Sequence, residues 1–314
     1  MTNAPAASET TRRIRLGTRS SPLARWQAEW VAAQLRGLGA TVELVWITTT
    51  GDVTDRSLMA VGGQGLFTKE IQRALLDDRI DLAVHSLKDL PTDPVPGLAL
   101  IAVPPREDCA DVLVSPRADT LDSLPPQAVV GTGSRRRRSQ LLHLRCDLRV
   151  GDVRGNVETR LRKLDEGQYD ALVLAKAGLL RLGLEHRIGQ VLPVSLMLPA
   201  VGQGALGLEA RAEDESTAAV VRQLNDAATY EAVLAERAML ARLRAGCLAP
   251  VGAWARTAQA ELYLTGCVLT ADGQQKLSVT SSRAGGTAQG LGESVADQLL
   301  SLGAARLIQA ARDT

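Results

Sequence analysis

The chain has 314 residues, of which 45% are hydrophobic and 23% are charged, and its formal net charge at pH 7 is +1. This composition excludes a disordered or strongly polyionic chain and is typical of a globular protein with two or three domains. Aromatic residues make up only 3%, which argues against the stacking platforms that bind single-stranded nucleic acid.

The polar N-terminus and the spacing of the cysteines indicate the cellular compartment in which the protein acts. Residues 1–12 contain no apolar stretch of the kind that signal peptides carry. The long uncharged stretch at 188–208 is broken by prolines and glycines, so it predicts buried loops and strands and not a membrane span. The cysteines have neither metal-ligand spacing nor the pattern of a disulfide framework. We therefore expect a cytoplasmic protein without a bound metal.

The first hundred residues predict alternating strands and helices, which favours parallel sheets covered by helices. Ile14–Leu16 begins the first strand. Ser21 and Pro22 then supply an N-cap and a first-turn proline for a helix that continues to about Leu38 and stops at Gly39. Further strands are predicted at 42–48, 80–84 and 98–103, with a helix at 68–77.

A second alternating series follows Pro104-Pro105, which is a plausible crossing point between two lobes. Its predicted strands lie at 112–114, 128–131, 148–150 and 171–174. From about Thr229 the pattern changes to a helix up to Ala245, a Gly-Cys loop, strands near 261–270 and 276–282, and a helix from Leu291. This order predicts a small α+β domain, and no internal sequence repeat is obvious.

The pentapeptide His85–Asp89 follows the buried strand predicted at 80–84. It delivers Lys88 and Asp89 to the end of a strand, where open α/β sheets bind their ligands. An isolated Lys-Asp pair is more often a helix cap or a surface ion pair. We expect His85 to be a packed or hydrogen-bonded structural residue.

Arginines recur where strands turn into helices. Of the 36 basic residues 31 are Arg, which reflects either a GC-rich genome or a need to grip carboxylates or phosphates. Arg135–Arg138 follow Gly131–Ser134 at a helix start, Arg154 precedes a capping Asn156, and Arg19 follows the first strand. The alternative for the four-arginine run is a solvated face or a nucleic-acid patch with salt-dependent binding.

Six motifs occur in an order found in one enzyme family. They are GTRSSPLA at 17–24, GGQGLF at 62–67, HSLKD at 85–89, RGNV at 154–157, LPAVGQG at 198–204, and Gly246-Cys247 after a helix with Ala235-Glu236-Arg237. On these motifs the chain resembles the porphobilinogen deaminase family from Arg15 onward.

The resemblance implies an α/β fold of two periplasmic-binding-protein-like lobes with mixed, mainly parallel sheets, plus a small C-terminal α+β domain. The implied lobes are 1–104 with 203–222, and 105–202, and the implied C-terminal domain is 223–314. The implied enzyme is a hydroxymethylbilane synthase, a transferase of tetrapyrrole and haem biosynthesis. It joins four porphobilinogen molecules head to tail with loss of ammonia on a covalent dipyrromethane primer, and releases hydroxymethylbilane by hydrolysis.

The resemblance also assigns roles to residues. Cys247 would carry dipyrromethane through a thioether, and Asp89 would stabilise the methylene-pyrrole cation and assist proton transfer. Each pyrrole ring brings an acetate and a propionate, so many carboxylates must be paired in the cleft. The implied cofactor-binding residues are Lys88, Ser134, Arg136, Arg137 and Arg154. The implied substrate-binding residues are Arg19, Ser21, Phe67, Arg154, Arg160, Arg181 and Gln203.

Three positions depart from the family pattern. Gln64, in the expected mobile flap at 62–65, stands where the family commonly has Lys, Gly133 where it often has Ser, and Arg135 where it often has Leu. Asp89 and Cys247 are unaffected.

The expected partner is porphobilinogen, with no nucleic acid and no membrane. We expect a monomer whose product passes to the next enzyme of the pathway. The alternative from another class is a non-catalytic solute-binding protein of the same two-lobed fold, which would need no anchored thiol.

Overall fold

The computed structural model describes residues 12–49, 68–246, 249–283 and 286–312. Its strands are β1 Arg13–Thr18, β2 Thr41–Trp46, β3 Leu82–Ser86, β4 Leu98–Ala102, β5 Asp111–Val114, β6 Val129–Gly131, β7 Arg149–Gly151, β8 Ala171–Ala175, β9 Gln190–Leu192, β10 Leu206–Arg211, β11 Val251–Ala258, β12 Glu261–Leu269 and β13 Lys276–Arg283. Its α-helices are α1 Pro22–Gly37, α2 Lys69–Leu76, α3 Arg135–Leu144, α4 Val157–Asp165, α5 Lys176–Arg181, α6 Glu215–Val221, α7 Ala227–Arg242, α8 Ala288–Ser301 and α9 Ala304–Arg312. Short 3-10 turns occupy Leu87–Asp89, Glu185–Arg187 and Arg222–Leu224.

Two five-stranded sheets share one topology. The first has the order β2-β1-β3-β10-β4, and the second has the order β7-β6-β8-β5-β9. In each, three parallel strands are followed by an antiparallel fourth strand, which pairs on its other side with an antiparallel fifth. The two lobes are therefore a structural repeat that the sequence does not display.

The third sheet is an antiparallel meander of β11, β12 and β13. Its apolar face packs against α7, α8 and α9 in one core that includes Met239, Leu264 and Val295. An α/β chain with two mixed sheets and a C-terminal α+β domain agrees with the predicted fold class.

Two chain segments connect the lobes. The first, residues 103–110, leads from β4 to β5, and the second, residues 193–205, returns from β9 to β10. They touch where Glu107 N donates to Gly204 O at 3.2 Å. Gly204 has φ +85°, and a Cβ there would lie 2.3 Å from Glu107 O, so the close approach requires glycine.

The first helix begins and ends as its sequence predicts. Ser21 is the N-cap of α1 and its side chain accepts from Ala24 N, while Pro22 occupies the first turn. Gly39 follows the helix with φ +86°. Serine accepts an otherwise unpaired N–H here, and glycine relieves the steric cost of the left-handed residue.

The second connecting segment leads into a strand whose bounds were not predicted. β10 lies in the middle of the first sheet, between β3 and β4, although it contains Gly207 and Glu209. The sequence predicts only loops and strands without bounds over 188–208, where β9 and the start of β10 lie, and it does not predict β11 or α9. None of the helices among the described residues combines the length and apolarity that crossing a bilayer requires.

Candidate active site

The end of β3 presents Lys88 and Asp89 in a short 3-10 turn. Leu87 and Leu90 on either side are buried in a cluster with Val103, Ala205 and Val233. Leu87 N also donates to Ala205 O at 3.0 Å. The apolar side chains thus anchor the turn and leave its two charged residues beside a cavity.

That cavity, which we call the Asp89 cavity, measures about 510 Å³. Arg19, Ser21, Lys88 and Asp89 line it together, as the sequence predicts for residues from separate turns. Thr68 also lines it, and its buried hydroxyl has no hydrogen-bond partner among the described residues. Nothing in the sequence singled out Thr68.

A second cavity of about 540 Å³, the interlobe cavity, adjoins the first. Lys88 lines both cavities. The opposite lobe contributes Arg137, Arg160 and Arg181 to the interlobe cavity. The predicted basic side chains of two lobes therefore do converge on one cleft.

Arg136 and Arg137 contact a carboxylate of the protein itself. Arg137 Nε and Nη2 donate to Asp111 Oδ1 at 3.0 and 2.8 Å, and Arg136 Nη1 lies 2.7 Å from Asp111 Oδ2. Gln203 Nε2 donates to the same Oδ1 at 2.9 Å. Although burial alone would raise it, the two guanidinium groups hold the pKa of Asp111 well below its usual range. We call these four residues the Asp111 cluster.

The Asp111 cluster leaves part of Arg136 unpaired. Arg136 is only 3% exposed, and its Nε and Nη2 have no hydrogen-bond partner among the described residues. Arg138 is the exposed member of the run and donates to Val150 O, while Arg135 donates to Ala311 O. With two of its four arginines buried, the run is not a solvated basic face, which disfavours the nucleic-acid alternative.

The cations around the interlobe cavity lower one another's pKa. Burial and the neighbouring Arg137 guanidinium lower the pKa of Lys88 to about 8. Burial together with Arg137 and Arg154 lowers the pKa of Arg160 to about 10. Burial also lowers the pKa of Arg181. Among the described residues, such crowding indicates positive charge that neighbouring carboxylates do not fully balance.

The remaining predicted arginines make local contacts. Arg154 pairs with Asp152 at 2.8 Å. Arg160 Nε donates to Gly155 O at 2.8 Å, and Arg181 Nη2 donates to Gly204 O at 2.7 Å. These bonds hold the guanidinium groups of the three arginines in place near the cleft.

Several predicted residues lie away from the two cavity walls. Ser134 is the N-cap of α3, where its side chain accepts from Arg137 N, so its hydroxyl already serves the helix. Among the described residues predicted for the site, those that line neither cavity are Ser134, Arg136, Arg154 and Gln203. Gln64, Phe67 and Cys247 lie outside the described residues.

His85 has the structural role that the sequence predicts. It is buried, and its Nε2 lies 3.0 Å from Glu209 Oε2. Gln72 of α2 donates to the other oxygen of Glu209 at 3.0 Å. This bond network joins α2 to β3 and β10, behind the turn that carries Asp89.

Asp111 is the charge partner of the arginine run that sequence reasoning missed. The available signal was an acidic residue directly before the apolar run Val112–Val114, because a charge at the head of a buried strand requires a partner. No group of three or more His, Cys, Asp or Glu side chains suited to a metal ion occurs in the part of the chain that the structure describes.

Two family models match the chain. Residues 14–219 match "Porphobilinogen deaminase, dipyromethane cofactor binding domain", and residues 230–301 match "Porphobilinogen deaminase, C-terminal domain". A porphobilinogen deaminase of Syntrophotalea carbinolica is 50% identical over 300 residues, covering 95% of each chain. Another from Pelotomaculum thermopropionicum is 48% identical over 304 residues, covering 96% of this chain and 97% of the relative.

Among solved structures, the methionine-binding protein MetQ is similar with a TM-score of 0.45 and 15% identity, covering 70% of this chain and 90% of the other. The two family models together span nearly the whole chain, and relatives of about half-identical sequence match it almost from end to end. The chain therefore belongs to the porphobilinogen deaminase family.

Proposed function

We propose that the cleft carries out deaminating polymerisation of porphobilinogen with Asp89 as the charge-stabilising carboxylate and Cys247 as the attachment point of the primer. The family assignment gives the reaction, in which porphobilinogen units are joined head to tail into hydroxymethylbilane with loss of ammonia. The observation that carries the assignment of roles is that Asp89 lines the Asp89 cavity together with Arg19 and Lys88, and that Lys88 also lines the interlobe cavity with arginines of the other lobe.

Asp89 has the chemistry that the reaction demands. When the C–N bond of porphobilinogen breaks, its electron pair leaves with the amine nitrogen, and the remaining methylene-pyrrole carries positive charge that its ring N–H shares. A fixed carboxylate that accepts from this N–H stabilises the charge as it develops. The same carboxylate oxygens are suited to accept and return a proton during coupling.

The basic residues fit a polyanionic primer and product. Lys88, Arg160 and Arg181 line the interlobe cavity and have lowered pKa values, so each gains from a ligand carboxylate. Arg136 lines neither cavity and shares Asp111, but two of its buried donor nitrogens have no partner among the described residues, so we assign it to a primer carboxylate that reaches past the cavity wall. Arg137 lines the interlobe cavity but already shares Asp111, so we assign it a smaller part of the binding. When bound, dipyrromethane supplies the nucleophilic pyrrole carbon on which the chain of rings is built.

The matching of residues 14–219 to the dipyrromethane-binding domain supports a primer in this cleft. The assignment of the thioether to Cys247 rests on the resemblance and on the chemistry of the other thiols. Burial raises the pKa of Cys109 and of Cys267, which disfavours the thiolate that forms a thioether.

The proposed working unit is a cytoplasmic monomer that releases hydroxymethylbilane to the next enzyme of the pathway. One chain supplies all the residues named above for both cavities. Sedimentation equilibrium of the active enzyme tests this point, and a dimer at assay concentration would contradict it.

We predict that Cys247→Ala yields a protein without bound pyrroles and without turnover. The intact mass of the denatured wild type should exceed the sequence mass by two condensed pyrrole units, and that of the variant should not. Cys146→Ala is the matched control, because Cys146 is exposed and outside both cavity walls. Full turnover in Cys247→Ala would remove the covalent-primer proposal.

We predict that Asp89→Asn retains the primer and lowers kcat by about 100-fold or more, since a preorganised charge partner of the developing cation is lost. Asp93→Asn, an exposed acid in the following loop, is the control and should keep kcat. Near-normal kcat in Asp89→Asn would mean that another group stabilises the charge.

A further inference from the structure

The Ala235-Glu236-Arg237 segment of α7 has no role in the site described so far. Glu236 is fully buried, and its carboxylate pairs with Arg106 at 2.7 Å and accepts from Gly202 N at 2.7 Å. Arg237, the next residue, points its donors elsewhere. Its Nη1 donates to Leu90 O at 2.9 Å and its Nη2 donates to Pro91 O at 2.7 Å.

The two carbonyls that Arg237 holds belong to the residues immediately after Asp89. A guanidinium presents parallel donors in a rigid fork, so one side chain fixes two successive peptide groups. Without it, those half-buried carbonyls would lose their charged partner, and the exit of the 3-10 turn would be held by the backbone bond from Leu90 N to Leu87 O and by apolar contacts.

Those apolar contacts come from the same face of α7. Val233 is buried against Leu87 and Leu90, and Tyr230 packs at the edge of the same cluster. Residues 230, 233 and 237 recur at helical spacing and so share one face. α7 therefore contacts the Asp89 turn through an apolar anchor on the leucines and a polar clamp on the following carbonyls.

We infer that Arg237 is a positioning residue for Asp89, which it acts on through the backbone of Leu90 and Pro91. The inference rests on the proposed function of Asp89. Because α7 ends at Arg242, five residues before Cys247, the same helix links the proposed attachment point to the carboxylate. Arg237 thereby sets where Asp89 lies relative to the domain that carries the primer.

The first test compares Arg237→Gln with Arg242→Gln in steady-state assays of porphobilinogen consumption. Arg242 lies on the same helix but pairs with Asp297 at an exposed site, so its variant should keep kcat and KM. Arg237→Gln should lower kcat about 10- to 100-fold with KM changed less than about threefold, because a displaced carboxylate fails mainly in the transition state. Arg237→Lys should recover only part of kcat, since one ammonium cannot replace the fork.

The second test is a double-mutant cycle with Asp89→Asn. If Arg237 acts through Asp89, adding Arg237→Gln to Asp89→Asn should lower the residual kcat by less than about twofold. An equal loss in both backgrounds would assign Arg237 a general structural role and overturn the inference, as would kcat within about twofold of wild type in the single variant.

Intact mass and thermal unfolding accompany each variant to show that primer and fold are retained. If Arg237→Gln does not fold, Arg237→Lys replaces it in the steady-state assay and in the double-mutant cycle, and the same outcomes support or contradict the inference. The proposed function and the positioning role can fail separately. Retained kcat in Asp89→Asn contradicts the proposed function. Retained kcat in the Arg237 variant, together with loss of kcat in Asp89→Asn, contradicts only the positioning role.

Discussion

At the scale of residues, the described part of the cleft packs basic side chains closely together around the interlobe cavity. Lys88 lines both cavities, and burial and Arg137 oppose its ammonium form. A ligand carboxylate would oppose both effects, because its negative charge favours the ammonium form. The charge state of Lys88 therefore depends on whether a ligand carboxylate is bound beside it.

This charge state gives a pH dependence. With its pKa lowered to about 8, Lys88 of the ligand-free enzyme loses its proton as the pH rises through that value, and affinity for an anion falls. We expect the affinity of the primer-free Cys247→Ala protein for sulfate to fall above about pH 8. Adding Lys88→Arg, which stays charged, should remove that alkaline loss even if the affinity is lower throughout. Identical pH profiles of both proteins would show that Lys88 does not control binding.

The sequence predicted which residues lie together better than it predicted their contacts. That Lys88, Asp89 and Arg19 lie beside one cavity could be predicted, because strand ends and helix starts determine where their backbones lie. That Arg136 and Arg137 share Asp111 could not, because this contact joins the head of β5 to α3 across about 25 residues of chain, and nothing local encodes it. The pairing also explains why two arginines tolerate burial.

At the scale of elements, the two connecting segments determine how the lobes meet. Glu107 of the first segment donates its N–H to Gly204 of the second, and Arg181 donates to the same Gly204 carbonyl. The segments cross closely only because Gly204 has no side chain. Gly204 also lines the interlobe cavity, so a shift of the two segments at this point would change the shape of that cavity.

We predict that Gly204→Ala destabilises the fold beyond the cost of backbone strain, which is about 1–3 kcal/mol for a left-handed non-glycine residue. The added methyl must displace Glu107 O. Gly183→Ala is the matched control, because Gly183 has φ +67° but a methyl group added there would meet no atom within 4 Å. Urea unfolding of both variants measures their free energies of unfolding. An equal decrease in both would show that the two segments move apart at Gly204 without a free-energy cost.

Elements with local signals were predictable, and those that depend on distant partners were not. The signals that begin and end α1, its serine cap, its first-turn proline and the glycine after it, all lie within or directly beside the helix in the sequence. β10 has no alternating pattern and includes Glu209, a residue that argues against an inner strand. Glu209 is accommodated only because His85 and Gln72, from β3 and α2, take up its two oxygens.

At the scale of the whole molecule, three domains meet around the cleft. The C-terminal domain contacts both lobes: Arg237 reaches the Asp89 turn, and the hairpin between β12 and β13 lies on α3, where His143 Nδ1 is 2.8 Å from Gly273 O. The domain that bears Cys247 is therefore fixed against the two elements that carry Asp89 and Arg136.

We predict that the primer stabilises the whole molecule by balancing the cations of the cleft. Cys247→Ala should unfold at a lower temperature than the wild type, and sulfate should raise its Tm more than chloride does at equal ionic strength. A gain of about 1 kcal/mol corresponds to about 2–4 °C in domains of roughly 150–250 residues. Adding Arg160→Gln should reduce the sulfate effect, and an unchanged response would show that the anion acts elsewhere.

The place of β10 in the first sheet also constrains how the protein is made on the ribosome. All five strands of the second sheet lie within residues 111–192, whereas the first sheet lacks its inner strand until residue 211 has been translated. Until then β3 and β4 of the nascent chain expose unpaired edges, which invite association with other chains. The lobe that is encoded first is thus completed second, and one edge of the strand leading to Asp89 stays unpaired until β10 has been translated.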